Sequence, residues 1–147
     1  MSAPNLGALL RTAYQVIRDR QIAVLREKGF GDLNQPLMNV FLYPGPDRTR
    51  PSELAARINM TKQAMNYLLG QLEELGYIER RAEGKNGRRL VYLTKRGWQV
   101  RETILAAVKE VEAEWASILG QHRFGEFMNA LRQVSPLGNT AASRSGR

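Results

Sequence analysis

The sequence predicts a mainly α-helical chain with one small β-hairpin, on three observations. Apolar residues recur at helical spacing over long stretches near both ends. Short helical segments with cap signals fill the region between. Two β-prone runs then flank the turn signal Asn86-Gly87. The 147 residues suffice for one sizeable core, so a single domain is expected over residues 1–134. The Gly, Ser, Ala and Arg-rich stretch 135–147 has no periodicity and is expected to be disordered.

Each element has its own signal. From Leu6 to about Lys28, Leu6, Leu10, Ala13, Ile17 and Val24 follow helical spacing, and Leu9, Val16, Ala23 and Leu25 widen the apolar stripe. Asn34 can cap a short second helix with Pro36 in its first turn, carrying Leu37, Val40, Phe41 and Leu42 until Pro44-Gly45-Pro46 ends it. Pro51 and Glu53 suit the first turn of a third helix that stops near Asn59. Thr61 caps a fourth, whose inner face is Ala64, Met65, Leu68, Leu69, Leu72 and Leu75, with Gly76 as terminator. The third and fourth helices, joined by Asn59-Met60, make a helix-turn-helix.

Tyr77 to Arg81 and Arg89 to Leu93 are the expected strands of the hairpin. Thr94 caps a long helix reaching about Leu119, with a stripe of Ile104, Val108, Val111, Trp115 and Ile118 that calls for a partner helix. A last helix around Phe124, Phe127, Leu131 and Val134 ends before Pro136.

Charge narrows the function classes. Lys and Arg number 22 against 14 acidic residues, a net charge of +8 that makes a polyanion a plausible partner. Arg80, Arg81, Lys85, Arg88, Arg89, Lys95 and Arg96 place seven cations in seventeen residues, with Glu83 the only acid among them. On the fourth helix, Gln63, Asn66, Tyr67 and Gly70 line one slim, polar face beside Lys62. Such a face suits a major groove: Gln63 and Asn66 are expected to pair with adenine edges, while the Thr61 hydroxyl and Lys62 ammonium hold phosphate. The hairpin tip Lys85, Asn86, Gly87, Arg88, with Arg89 behind it, projects an arginine suited to a minor groove. Taken singly, each feature is also what a solvated helix face or a solubilising loop looks like.

An enzyme fits poorly. His122 is the only histidine, placed to cap a helix end, and there is no cysteine, acidic pair or phosphate loop in a convincing setting. No cofactor or metal is expected. The chain starts without a signal-peptide pattern and has no apolar run of bilayer length, so a cytoplasmic location away from membranes is expected.

Four motifs in order carry a resemblance: Arg50-Pro51-Ser52-Glu53-Leu54-Ala55-Ala56-Arg57-Ile58, Thr61-Lys62-Gln63-Ala64, Leu72-Glu73-Glu74-Leu75-Gly76-Tyr77-Ile78-Glu79-Arg80, and Leu93-Thr94-Lys95-Arg96-Gly97. Together they resemble the MarR family of winged helix-turn-helix transcriptional regulators. The resemblance implies a DNA-binding lobe at about 33–97 and dimerisation helices at about 5–32 and 98–134. It implies a homodimeric regulator, with repression the expected sign, on double-stranded DNA at an inverted repeat, and a small aromatic acid as effector. Tyr14, Ile17 and Trp98 are candidate pocket lining, although periodicity alone favours core packing for each. Two departures stand out. The family wing has Asp-x-Arg where this chain has Asn86-Gly87-Arg88, a weaker acceptor beside the arginine, and the segment from Asp32 to Arg50 is richer in proline. The competing expectation is a winged helix that docks an acidic protein partner through its cationic hairpin.

Overall fold

The computed structural model describes residues 2–83 and 87–138. The chain gathers into two compact units, Met1–Val108 and Lys109–Arg147.

The first unit opens with α1 (Leu6–Glu27), whose first free amides are met by the Asn5 side chain, which accepts from the Ala8 amide at 2.9 Å. The helix α2 (Gln35–Asn39) starts at the expected cap: Asn34 Oδ1 accepts from the Leu37 amide at 3.0 Å, with Pro36 in the first turn. It is shorter than its apolar pattern predicts. Val40, Phe41 and Leu42 continue in tight turns in which each amide reaches the carbonyl three residues back, and this swings Phe41 fully into the core.

The helix-turn-helix consists of α3 (Pro51–Arg57) and α4 (Lys62–Glu74). Between them Asn59 takes a left-handed conformation, φ 54°, one of the few that asparagine tolerates better than other side chains. Thr61 caps α4 by accepting from the Ala64 amide at 3.1 Å, an interaction worth about 1 kcal/mol. Gly76, at φ 82°, turns the chain out of the helix. Met65, Leu68, Leu69 and Leu72 form the buried face of α4, as the spacing requires, whereas Ala64, expected on that face, is exposed in the first turn and Leu75 is only half-buried.

The wing pairs β1 (Ile78–Glu83) with β2 (Arg88–Leu93), antiparallel, from Ile78 opposite Leu93 to Glu83 opposite Arg88. Both strands run further toward the tip than expected, and Tyr77 lies outside the pairing. The outer edge of β2 is covered by a single bridge between Thr49 and Val91. There the Val91 amide donates to Thr49 at 2.8 Å, while Asp47 accepts from the Leu93 amide at 2.9 Å. One bridged residue is too short to leave a period-two pattern, so this third strand segment carries no sequence signal. The expected turn residues Lys85 and Asn86 lie outside the described residues.

Tyr77 is the pin of this unit. Its ring meets Phe30 and Phe41 edge-on at 6.1 and 6.2 Å. Its hydroxyl donates to Asp32, and Arg96 donates to both the Tyr77 hydroxyl, at 2.9 Å, and Asp32, at 3.1 Å. The segment after α1, the wing entry and the start of α5 (Lys95–Leu119) are thereby tied together. Burial, then the hydrogen bond to Asp32, pushes the Tyr77 phenol up to about 12. Thr94 begins α5 as expected, accepting from the Gly97 amide at 3.1 Å while donating to the Gly76 carbonyl at 2.6 Å. Gly97 has a steric reason: a Cβ there would sit 2.1 Å from the Tyr77 carbonyl oxygen. Val100 and Ile104 of α5 then enter the same core as Leu25, Phe41, Leu69 and Val91.

In the second unit, α6 (Gln121–Val134) follows Gly120, which has φ 86°. Trp115 meets Phe127 edge-on at 6.2 Å, the packing role expected of it. His122 does not cap a helix end: it faces Glu126 one turn on, 3.2 Å away, because position 122 already lies inside α6. Residues 136–138 form a helical turn, and the rest of the tail lies outside the described residues. Among the described residues no helix is long and apolar enough to cross a membrane.

Candidate nucleic-acid interface

The sequence places candidate groups on α4 and the wing, and the fold decides which of them meet. A cleft of about 370 Å³ opens between the start of α3, the outer side of α4 and the wing. Lys62, Asn66, Arg88 and Arg89 line it, together with Arg50, Ser52 and Arg80. Five cations thus face one recess with no carboxylate among its described lining residues, a concentration of positive charge of the kind that draws in a polyanion.

Gln63 and Tyr67 are not in that cleft. They line a second recess, of about 520 Å³, on the side of α4 facing the start of α2, with Thr61, Pro36, Met60, Ala64 and Leu68. Helical spacing groups Gln63, Asn66 and Tyr67 on one outward strip, whereas the flanking elements divide that strip: the wing takes the Lys62 and Asn66 side, and α2 takes the Gln63 and Tyr67 side. Tyr67 keeps 68% of its surface exposed, so its ring is free for a partner to cover. Lys85 and Asn86 belong to the tip outside the described residues, so of the wing residues expected to bind only Arg88 and Arg89 are placed in the cleft, beside Arg80 of β1.

The cations of the wing are not equivalent. Arg81 stacks on the Tyr92 ring at 3.9 Å and lies 3.8 Å from Glu79, which occupies it on the opposite side of the hairpin from Arg80. Arg80 is held by Glu73 of α4, its Nε donating at 2.6 Å, and its Nη1 donates to Asn66 Oδ1 at 3.2 Å. Arg50 is paired with Glu53 at 3.0 Å on an exposed surface, where such a pair is readily exchanged for another anion. Arg50, Ser52 and Arg80 were not singled out from the sequence as groove-facing residues. The one available signal was the length of the Arg80 side chain opposite a helix that carries an acid seven residues after Asn66.

Residues 40–89, spanning α3, the turn, α4 and much of the wing, match the sequence model of the MarR family. Over these residues the winged-helix lobe is similar to the MarR family. Among solved structures, the MarR-family protein Rv2887 of Mycobacterium tuberculosis in complex with salicylic acid is 29% identical to this chain, with a TM-score of 0.63. That likeness covers 91% of this chain and 98% of Rv2887. The same protein in complex with DNA aligns at 26% identity and a TM-score of 0.63, over 91% of this chain and 99% of that one. A MarR-family regulator from Rhodococcus sp. RHA1 shares the fold at 17% identity and a TM-score of 0.64, over 90% of this chain and 97% of its own. No curated protein sequence matches the chain. The architecture is that of the MarR-family winged-helix DNA-binding transcription regulators, mainly α with a two-stranded wing.

Proposed function

We propose that this chain is a sequence-specific, double-stranded-DNA-binding transcriptional repressor that acts as a homodimer at an inverted repeat and carries out no catalysis. The observation that carries the reading is the α4-wing cleft, where Lys62, Asn66, Arg88 and Arg89 converge with Arg50, Ser52 and Arg80. In this reading α4 enters the major groove. Thr61, Lys62 and Arg50 grip phosphate, Gln63, Asn66 and Tyr67 face base edges, and Arg88, Arg89 and the tip residues Lys85 and Asn86 follow the backbone into the adjoining minor groove. Occupying the operator then excludes polymerase.

The homodimer accounts for the first half of α1. Leu6, Leu9 and Leu10 are 72%, 55% and 49% exposed in a single chain, an apolar surface that a second copy would cover. Two lobes related by a two-fold axis would present their α4 helices about 34 Å apart, one turn of the duplex. A small aromatic acid is the effector of this reading, supported by the salicylic acid complex of Rv2887. Tyr14 and Trp98, proposed as its contacts, are each 45% exposed, and Ile17 is half-buried.

Selection of bound duplexes from a random library at physiological salt tests the reading, because it separates sequence reading from charge attraction. The expected result is an inverted repeat with half-sites one helical turn apart. Recovery of no motif would defeat it and favour an acidic protein partner for the cationic face.

A further inference from the structure

Asn66 was expected to pair with adenine, which offers one donor and one acceptor to an amide that can turn either way. Its surroundings remove that freedom. Asn66 and Glu73 lie two helical turns apart on the same side of α4, and Arg80 of β1 reaches across to both. The Arg80 side chain is only 19% exposed, and its Nε is held by Glu73 Oε1 at 2.6 Å, so the guanidinium has little room to move away. Its Nη1 points at Asn66 Oδ1, 3.2 Å distant. A guanidinium has five donors and no acceptor. The amide must therefore turn its oxygen to Arg80, because the reverse orientation sets two donors against each other.

We propose that the Glu73-Arg80 pair fixes the Asn66 amide with its oxygen engaged and its two N–H groups outward, making position 66 a reader of guanine rather than adenine in the major groove. The inference rests on the DNA-binding reading above and names the base class that the site prefers. A second argument points the same way. The cleft around Asn66 is lined by Arg50, Lys62, Arg80, Arg88 and Arg89, and such a surround favours the base edge richest in acceptors. Guanine presents N7 and O6 there, whereas adenine and cytosine each bring an amino group that meets like polarity. Arg80 is a positioning residue in this account, acting on the base through Asn66. Gln63, in the other recess, is not subject to this constraint and keeps an amide free to read adenine.

The test uses the full chain and the duplex recovered by selection. Competition binding against all single-pair variants of that duplex, for the native protein and for Asn66→Ala, locates the pair whose preference the substitution abolishes. At that pair the native protein should favour guanine over adenine roughly tenfold, the low end of discrimination by a well-placed side chain. Arg80→Leu should reduce the preference to below about twofold while other pairs keep theirs, beyond a uniform loss of affinity from the lost charge. Glu73→Gln, which keeps Arg80 but loosens its anchor, should fall between, and Arg80→Lys, which still donates to the oxygen, should retain most of the preference and guards against misfolding of the leucine variant. Adenine preferred at that pair, a guanine preference unchanged in Arg80→Leu, or no pair altered by Asn66→Ala would each overturn the inference while leaving the regulator reading intact. Recovery of no motif by the native protein would overturn both.

Discussion

The lobe from α2 to β2 and the first half of α1 are both rich in apolar residues, yet they treat them in opposite ways. In the lobe, Leu37, Met38, Phe41, Leu69, Leu72, Tyr77 and Val91 are each at most 2% exposed, closed in by elements of the same chain. Along α1, Leu6, Leu9, Leu10, Tyr14 and Val16 stay open, and only near its end does Leu25 join the core. Apolar spacing alone does not separate the two regions, since both follow the helical period. What separates them is the density of fixed directions around the spacing. The lobe has caps at Asn34, Thr61 and Thr94, tight reversals at Asn59 and Gly76, and a hydrogen-bonded pin at Tyr77. The start of α1 has one cap, at Asn5, and among the described residues of its own unit no element closes over Leu6, Leu9 and Leu10.

The contrast can be broken or sharpened at several points. Leu72→Ala, in the closed region, should lower the unfolding free energy by ~2–5 kcal/mol, read as a shift of the denaturant midpoint at constant slope. The paired substitution Leu6→Glu with Leu10→Glu should leave the lobe folded but weaken self-association at least a hundredfold, about 2.7 kcal/mol, in sedimentation at micromolar concentration. An unchanged dimer mass would remove α1 from the interface. Gly97→Ala should cost about 1–3 kcal/mol of stability by circular dichroism, because neither the helix backbone nor the Tyr77 carbonyl can yield freely. The pH dependence is subtler. The Tyr77 phenol is raised to about 12, from an ordinary value of 10 that the unfolded chain retains. Its contribution is therefore complete below pH 10 and declines between about pH 10 and 12, as the unfolded state ionises first. Tyr77→Phe should flatten that decline in denaturation midpoints across this range, and a decline of the same size would place its origin elsewhere.

These regions also explain how far residues alone could be read. Helix starts were legible because a cap is a local device: Asn34, Thr61 and Thr94 accept from amides three residues ahead, whatever the rest of the chain does. The hairpin and its basic character were equally local. The division of the α4 surface was not, since Gln63 and Asn66 differ only in which neighbour, α2 or the wing, flanks them. Nor was the state of each wing cation, because Arg81 stacked on Tyr92 and Arg80 held by Glu73 are identical in the sequence to the open Arg88 and Arg89. The bridge at Thr49 and the early end of α2 depend on contacts too short or too distant for periodicity to register.

The central claim is that the cleft between α4 and the wing is the DNA surface, and charge reversal there tests it most directly. Lys62→Glu combined with Arg88→Glu alters two exposed residues of the cleft, neither of them part of the buried core. Fluorescence anisotropy with the selected duplex should show affinity reduced at least about a hundredfold, with a shallower salt dependence, since two phosphate contacts are lost and two repulsions gained. Binding and salt dependence equal to those of the native protein, in a variant that unfolds at the native midpoint, would contradict the account.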